Sequence, residues 1–390
     1  MKKLPLIVFL TLILFGIFTL RIEAQEESKK TICLNMIVKN ENDIIEDCLA
    51  SIKHLIDYWV IVDTGSEDGT QETIKNFLKD IPGELHERPW VNFEHNRNEA
   101  LSLAKSKADY SLFIDADERW AFSNEFTMPL LDLDYYRILI REVGVIDSMR
   151  KCLVKNSLNW KYEGVLHEVI TSPQARIYAN LKDVISLNNT ALGARTKDPK
   201  KYYKDAQVLE AALQQDPNNS RHIFYLGQCY GNAHEYSLAI KYFEKRASMG
   251  NKDLEVFWSL YCIGKMEEKL NIDIETPIAS YSKTYQSFPD RAEPLYRIAN
   301  LYFKNKNYLL SYLVSKYALT IPKPQDATFV EDWLYEWGLL QQYANSSYHL
   351  ENYEEAKLAT QTLLSIESLP SDLFLTFQRN LELLNQMLKK

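Results

Sequence analysis

Two aspartates one residue apart, Asp115 and Asp117, close the apolar run Ser111-Leu112-Phe113-Ile114. A run of that composition reads as a strand, and strand alternation predicts that both carboxylates leave it in the same direction. Hard oxygen donors at the carboxyl end of a parallel strand suit Mg²⁺ or Mn²⁺ shared with a substrate diphosphate. Acidic residues also end strands as ordinary caps and turns, so the pair takes its meaning from its neighbours. Val60-Ile61-Val62-Asp63 runs into Thr64-Gly65-Ser66-Glu67-Asp68-Gly69-Thr70, a buried strand followed by a loop that a ligand can approach closely and then by a helix. Asp63 can accept from the N–H of a base or from a ribose hydroxyl, while Ser66 can cap the helix or meet phosphate. Further along, Trp160-Lys161-Tyr162-Glu163-Gly164-Val165-Leu166-His167-Glu168-Val169 gathers three more groups. His167 can complete a metal's coordination, and Glu168, with Glu163 second, can take a proton from an acceptor. A strand with a satisfied histidine and an exposed glutamate is the plain alternative. Trp160 and Tyr162 suit either a sugar face or the core.

The elements that must position these residues are short. Ile32 to Val38, Tyr58 to Val62 and Tyr110 to Ile114 are rich in β-branched and aromatic residues, as strands require. Between them Ile44 to Leu55, Gln71 to Leu78 and Asn96 to Lys107 space their apolar residues as helices do. Strand and helix alternate from Thr31 to about Asn189, which predicts an α/β domain with a mostly parallel sheet. After Asp198-Pro199 the pattern becomes helical throughout. Leu226-Gly227, Tyr230, Ala239 and Phe243 fit the tetratricopeptide template, and Ile298-Ala299, Tyr302 and Ala318 repeat it two periods later. A middle copy is expected near Leu260 and Tyr261, with Ala279 on its second helix, and a looser fourth from Tyr343 to Leu363.

The chain has 390 residues, of which 46% are hydrophobic, with only 12 Gly and 13 Pro, and these values exclude a disordered or low-complexity protein. Its 45 basic and 53 acidic residues leave a net charge of −8, without the basic excess that neutralises phosphates, so no nucleic acid is expected as partner. Five cysteines form no Cys-x-x-Cys pair and read as buried thiols. Lys2 and Lys3 precede an apolar run from Leu4 to Leu20, about 25 Å long as a helix. Residues 1–24 are therefore expected to be a signal anchor or a signal peptide. Membrane contact through residues 4–20 follows if they are retained, and so does a membrane-associated or secretory-route location.

Taken in order, the segments Ile32 to Glu41, Asp63 to Thr70, His95-Asn96-Arg97-Asn98-Glu99-Ala100 and Phe113 to Glu118 resemble family 2 glycosyltransferases of the GT-A fold. From about Thr31 to the C-terminus the chain resembles the branch with a tetratricopeptide tail, which includes the sublancin S-glycosyltransferase. The resemblance implies a Rossmann-like GT-A catalytic domain at 31–190 and a repeat domain at 199–390. It implies glycosyl transfer from a nucleoside diphosphate sugar, a UDP-sugar first, with inversion at the anomeric carbon. Asp115 and Asp117 match the metal and diphosphate aspartates, while Lys39, Asn40, Asp63 and Arg97 match positions around the nucleotide. Thr64 stands where many members have a second aspartate. The catalytic part looks small, so the repeats are expected to help hold a peptide, protein or glycan acceptor. The rival expectations are an interaction protein whose first domain is inactive, and a nucleotidyltransferase.

Overall fold

Strand β1 (Ile32–Val38) is buried along almost its whole length, and its alternating side chains are divided between two helix layers. Leu34, Met36 and Val38 pack toward Ile45, Leu49 and Ile52 of α1 (Ile45–Ile52) and toward Ile74 of α2 (Thr70–Phe77). On the other face Cys33 packs with Val60 and with Ala104 of α3 (Phe93–Ala104), while the Asn35 side-chain amide donates to the Ala100 carbonyl at 2.8 Å. Each large aliphatic side chain buried this way contributes roughly 1.5–3 kcal/mol. The computed structural model describes residues 29–142, 148–188, 195, 198–250, 253–325 and 329–389. The apolar segment at 4–20, and with it the expected anchor or signal peptide, lies outside the described residues. Among those described, no helix is long and apolar enough to cross a membrane.

The sheet has eight strands in the order β3-β2-β1-β4-β7-β6-β10-β5. With β1 these are β2 (Tyr58–Asp63), β3 (Gly83–Glu87), β4 (Tyr110–Phe113), β5 (Glu118–Phe122), β6 (Tyr135–Glu142), β7 (Ser148–Lys155) and β10 (Tyr178–Asn188). β3, β2, β1 and β4 are mutually parallel, as are β6 and β10, so the sheet is mostly parallel; β7 and β5 are the antiparallel insertions. A separate hairpin of β8 (Lys161–Glu163) and β9 (Val169–Thr171) leaves the sheet beside α3.

The helical part begins with α4 (Lys201–Gln215) and continues as antiparallel pairs. The pairs are α5 (Ser220–Asn232) with α6 (Tyr236–Ser248), α7 (Leu254–Lys269) with α8 (Glu275–Ser287), α9 (Glu293–Lys304) with α10 (Tyr308–Ala318), and α11 (Leu339–His349) with α12 (Tyr353–Leu364); α13 (Ser371–Met387) follows. These are tetratricopeptide-type repeats. Gly227 lets α6 come so close that a β-carbon there would stand 2.9 Å from the Phe243 ring. The middle copy differs from the expectation by one helical turn. Its close contact is made by Gly264 rather than at Leu260-Tyr261, because Gly264 is where the Tyr281 ring of α8 crosses, 2.6 Å from a β-carbon position. All five cysteines are free and buried, as their spacing suggested.

Helix propensity alone favours alanine over glycine by up to about 1 kcal/mol. Overpacking against Tyr281 should reverse that sign, so Gly264→Ala is expected to destabilise the chain by about 1–3 kcal/mol in urea melts.

Candidate functional site

Because β1, β2 and β4 are parallel, the loops after them meet along one sheet edge. The first two are stitched together. Asn40, in the left-handed region at φ 55°, donates its N–H to the Ser66 hydroxyl at 2.8 Å, and its side-chain oxygen accepts from the Glu67 N–H. Left-handed geometry costs asparagine less than most residues. Gly65, at φ 107°, leaves room for Lys39, whose ammonium lies 4.0 Å from where a β-carbon would be. Asp63 is fully buried at the end of β2. Its Oδ1 accepts from the Gly65 and Ser66 N–H groups at 2.9 and 2.8 Å and from Gln71, while its Oδ2 is buried with no partner among the described residues. A cleft of about 260 Å³ opens here, lined by Asp63, Gly65, Glu87, Arg88 and Pro89. An orphaned buried carboxylate oxygen costs stability unless something donates to it.

At the third strand the structure corrects one expectation. β4 ends at Phe113, and Asp115 to Glu118 form a turn closed by the Glu118 N–H donating to the Asp115 carbonyl at 3.0 Å. The turn geometry, not strand alternation, sets where the two aspartates point. Arg97 on α3 donates from Nη2 to Asp115 Oδ1 at 2.7 Å, and Arg150 on β7 donates from Nη1 to Asp115 Oδ2 at 3.0 Å. Arg150 also pairs with the wholly buried Glu118. Burial works to raise the Asp115 pKa, but the two guanidiniums outweigh it and hold the carboxyl well below the usual range. Asp117 behaves oppositely. Its burial, and then the charge of Asp115, raise its pKa, and it makes no ion pair with a described residue.

The remaining candidates lie on the β8–β9 hairpin. The Asn98 side chain of α3 fixes the hairpin by accepting from the Tyr162 N–H at 2.8 Å and donating to its carbonyl at 2.9 Å. Tyr162 is buried core beneath Arg97, and Trp160 packs edge-on to Tyr135. Glu168 pairs with Arg97 through Nε, so one guanidinium joins Glu168 to Asp115. Glu163 is exposed on β8, held by Thr171 at 3.1 Å and by Lys161. His167 lies against the repeats. Its ring stacks on Tyr225 of α5, with centroids 3.9 Å apart. Among the described residues no set of three His, Cys, Asp or Glu side chains forms a metal cage. Asp115, Asp117 and His167 are not a preassembled set of this kind among the described residues.

The turn nonetheless has the chemistry of a divalent cation site. Asp115, Asp117, Glu118 and Glu168 carry four carboxylates against two guanidiniums, and neither guanidinium pairs directly with Asp117. A hard cation completing its shell with phosphate and water oxygens fits two aspartates.

Sequence reasoning missed Arg150, Arg88 and the role of Glu118. No local pattern marks Arg150. It lies in the strand after the residues at 143–147, and only the antiparallel pairing of β7 with β4 brings it to the turn.

Residues 33–125 match the model of the family "Glycosyl transferase family 2". The glycosyltransferase SunS, from Bacillus subtilis prophage SPbeta and from Bacillus phage SPbeta, is 24% identical over 215 residues, which is 52% of this chain and 50% of SunS. A TPR repeat-containing protein of Synechococcus elongatus is 34% identical over 88 residues, 22% of this chain and 20% of that one. The chain thus spans about half the length, or less, of these curated relatives. Among solved structures, a tetratricopeptide repeat protein from Parabacteroides merdae is 16% identical and covers 50% of this chain and 75% of its own at a TM-score of 0.37. A TPR protein of Thermus thermophilus, 13% identical, covers 46% and 90% at a TM-score of 0.33. The repeat assignment rests on the helix pairs themselves.

Removing the cation that pairs with a buried carboxylate, here Glu118, strands its charge. Arg150→Leu should therefore cost about 3 kcal/mol in urea denaturation, and Arg150→Leu combined with Glu118→Gln should recover most of the loss.

Proposed function

From a chain whose residues 33–125 form a glycosyl transferase family 2 domain, we propose a divalent-metal-dependent glycosyltransferase. It moves a sugar from a nucleoside diphosphate sugar, a UDP-sugar first, to an acceptor oxygen or sulfur with inversion. The observation that carries this reading is Asp63. A fully buried carboxylate whose Oδ1 is saturated and whose Oδ2 has no donor among the described residues, beside a cleft, suits a donor from a ligand, and a base N–H or a ribose hydroxyl supplies one.

The diphosphate then lies along the loop edge toward Asp115, with Lys39 over Gly65 on one side and Arg97 and Arg150 on the other. Asp115 and Asp117 would hold Mg²⁺ or Mn²⁺, which supplies Lewis-acid stabilisation of the negative charge on the departing diphosphate. Arg97 occupies the middle of the arrangement. It reaches Asp115 on the donor side and Glu168 on the other, and so sets the spacing between leaving group and base. Glu168 takes the acceptor proton as the acceptor atom bonds to the anomeric carbon. The bond from that carbon to the diphosphate breaks, and its electron pair leaves with the diphosphate. Glu163, already engaged by Lys161 and Thr171 on the hairpin, is the weaker candidate for that role. The acceptor is a peptide, protein or glycan approaching over the β8–β9 hairpin, where the repeats adjoin the first domain.

Asp63→Asn keeps an oxygen for the Gly65 and Ser66 N–H groups but turns the orphaned acceptor into a donor. Calorimetry with UDP should show at least about tenfold weaker binding, with the thermal midpoint nearly unchanged. Unchanged UDP affinity would remove the nucleotide reading.

Glu168→Gln should lower the transfer rate by about 10²-fold or more while leaving UDP affinity within a few-fold, since a base acts on the acceptor. Purified protein incubated with a panel of nucleotide sugars, with and without Mn²⁺, measures both the activity and its metal dependence.

A further inference from the structure

The loop that carries Glu168 is not held in place by its own sequence. It joins two three-residue strands, a hairpin too short to be stable alone. It also passes through the left-handed region twice, at Gly164 (φ 112°) and at His167 (φ 51°), and the second, as a non-glycine residue, bears a cost there. The first domain holds the hairpin at Tyr162 through Asn98 and at Gly164 through Glu94, whereas the contacts at His167, next to Glu168, come from the repeats. Arg221, in the first turn of α5, donates to the His167 carbonyl from Nη2 at 2.8 Å and from Nε at 3.3 Å. Tyr225, one turn on, stacks on the His167 ring and accepts from Arg221 at 3.1 Å. Leu166 is buried among Ala206 and Leu209 of α4 and Leu226 and Cys229 of α5.

Arg221 is itself oriented. Its Nη1 donates to Glu255 of α7 at 3.2 Å, and the other oxygen of Glu255 accepts from the buried Arg246 of α6 at 3.1 Å. Alternating charges therefore run from Arg246 through Glu255 to Arg221, across the His167 carbonyl to Glu168, and on through Arg97 to Asp115. The peptide unit that Arg221 grips is the one that begins Glu168.

We propose that Arg221 of the repeat region is a positioning residue for Glu168, so that the candidate base meets Arg97 only when the first repeat is docked. The inference rests on the reading of Glu168 given above, but it can fail separately. The site is then a product of both domains. The repeats act on the chemistry through backbone geometry, whether or not they also touch the acceptor.

The Arg97 Nε–H, which donates to Glu168, reports the pairing directly in the full chain without any substrate. In ¹⁵N-arginine-labelled protein its resonance is identified by its loss in Arg97→Lys. Arg221→Ala should shift that resonance and speed its exchange with water by at least about tenfold, reproducing the effect of Glu168→Gln, and Arg221→Lys should restore much of the wild-type signal. Glu255→Gln leaves Arg221 in place but loosens its orientation, and should give a smaller shift of the same sign even if Arg221→Ala folds poorly. An Arg97 signal that moves in Glu168→Gln and stays at its wild-type position in Arg221→Ala and Glu255→Gln overturns the positioning role while leaving the base assignment intact. A signal indifferent to Glu168→Gln overturns it too, because the pair is then not formed in solution. If the Arg97 signal responds as expected but Glu168→Gln transfers sugar like wild type, the positioning holds and the base assignment falls.

Discussion

One guanidinium, that of Arg97, ties the candidate site together. It lies in the second turn of α3, over the buried Tyr162 ring, with Asp115 on one side and Glu168 on the other. Three pieces of chain are linked through it: the helix after β3, the turn after β4 and the β8–β9 hairpin. A charge this deeply placed is stable only while its carboxylates remain where they are. The placement of α3 on β1 and the Asn98 bridge to Tyr162 are thus as much part of the site as the ionised groups.

The first two parallel strands supply the complementary half. There the strain is in the backbone rather than in buried charge: Asn40 and Gly65 take left-handed conformations so that Lys39, Ser66 and Asp63 can line one edge. The Asp63 carboxylate organises its own loop with one oxygen and leaves the other unsatisfied. A protein that keeps a buried acceptor unpaired retains a cost of about 1–3 kcal/mol, which a nucleotide donor would relieve.

Much of this was legible in the sequence because it depends on local periodicity. β1 was bounded to the residue, and β2 and the helices that follow the first two strands to within a few residues, since continuous apolar runs and helical spacing are properties of short windows. Asp63, Asp115, Asp117 and Glu168 were readable as candidate chemistry beside those elements, and Arg97 through the family resemblance. β3 was not, because an edge strand of Gly-Glu-Leu-His-Glu has no apolar face to announce it. Nor was the turn at Asp115 to Glu118, which the apolar run before it disguised as strand. Arg150, Arg221 and Tyr225 were beyond reach for a different reason. Their meaning comes from pairings between residues far apart in the chain, Arg150 with Glu118 and Arg221 with the His167 carbonyl. The middle repeat slipped by one turn because Leu260-Tyr261 and Ile263-Gly264 both satisfy an apolar helical spacing, and only the crossing of Tyr281 selects the glycine.

The most direct test is a crystal structure of the full chain grown with UDP and Mn²⁺. The expected map has a base N–H or ribose hydroxyl on Asp63 Oδ2, the diphosphate beside Lys39 and Arg97, and one cation on Asp115 and Asp117, with Arg97 still in contact with Glu168. UDP bound elsewhere, with Asp63 Oδ2 still unpartnered and no cation at the turn, would contradict it.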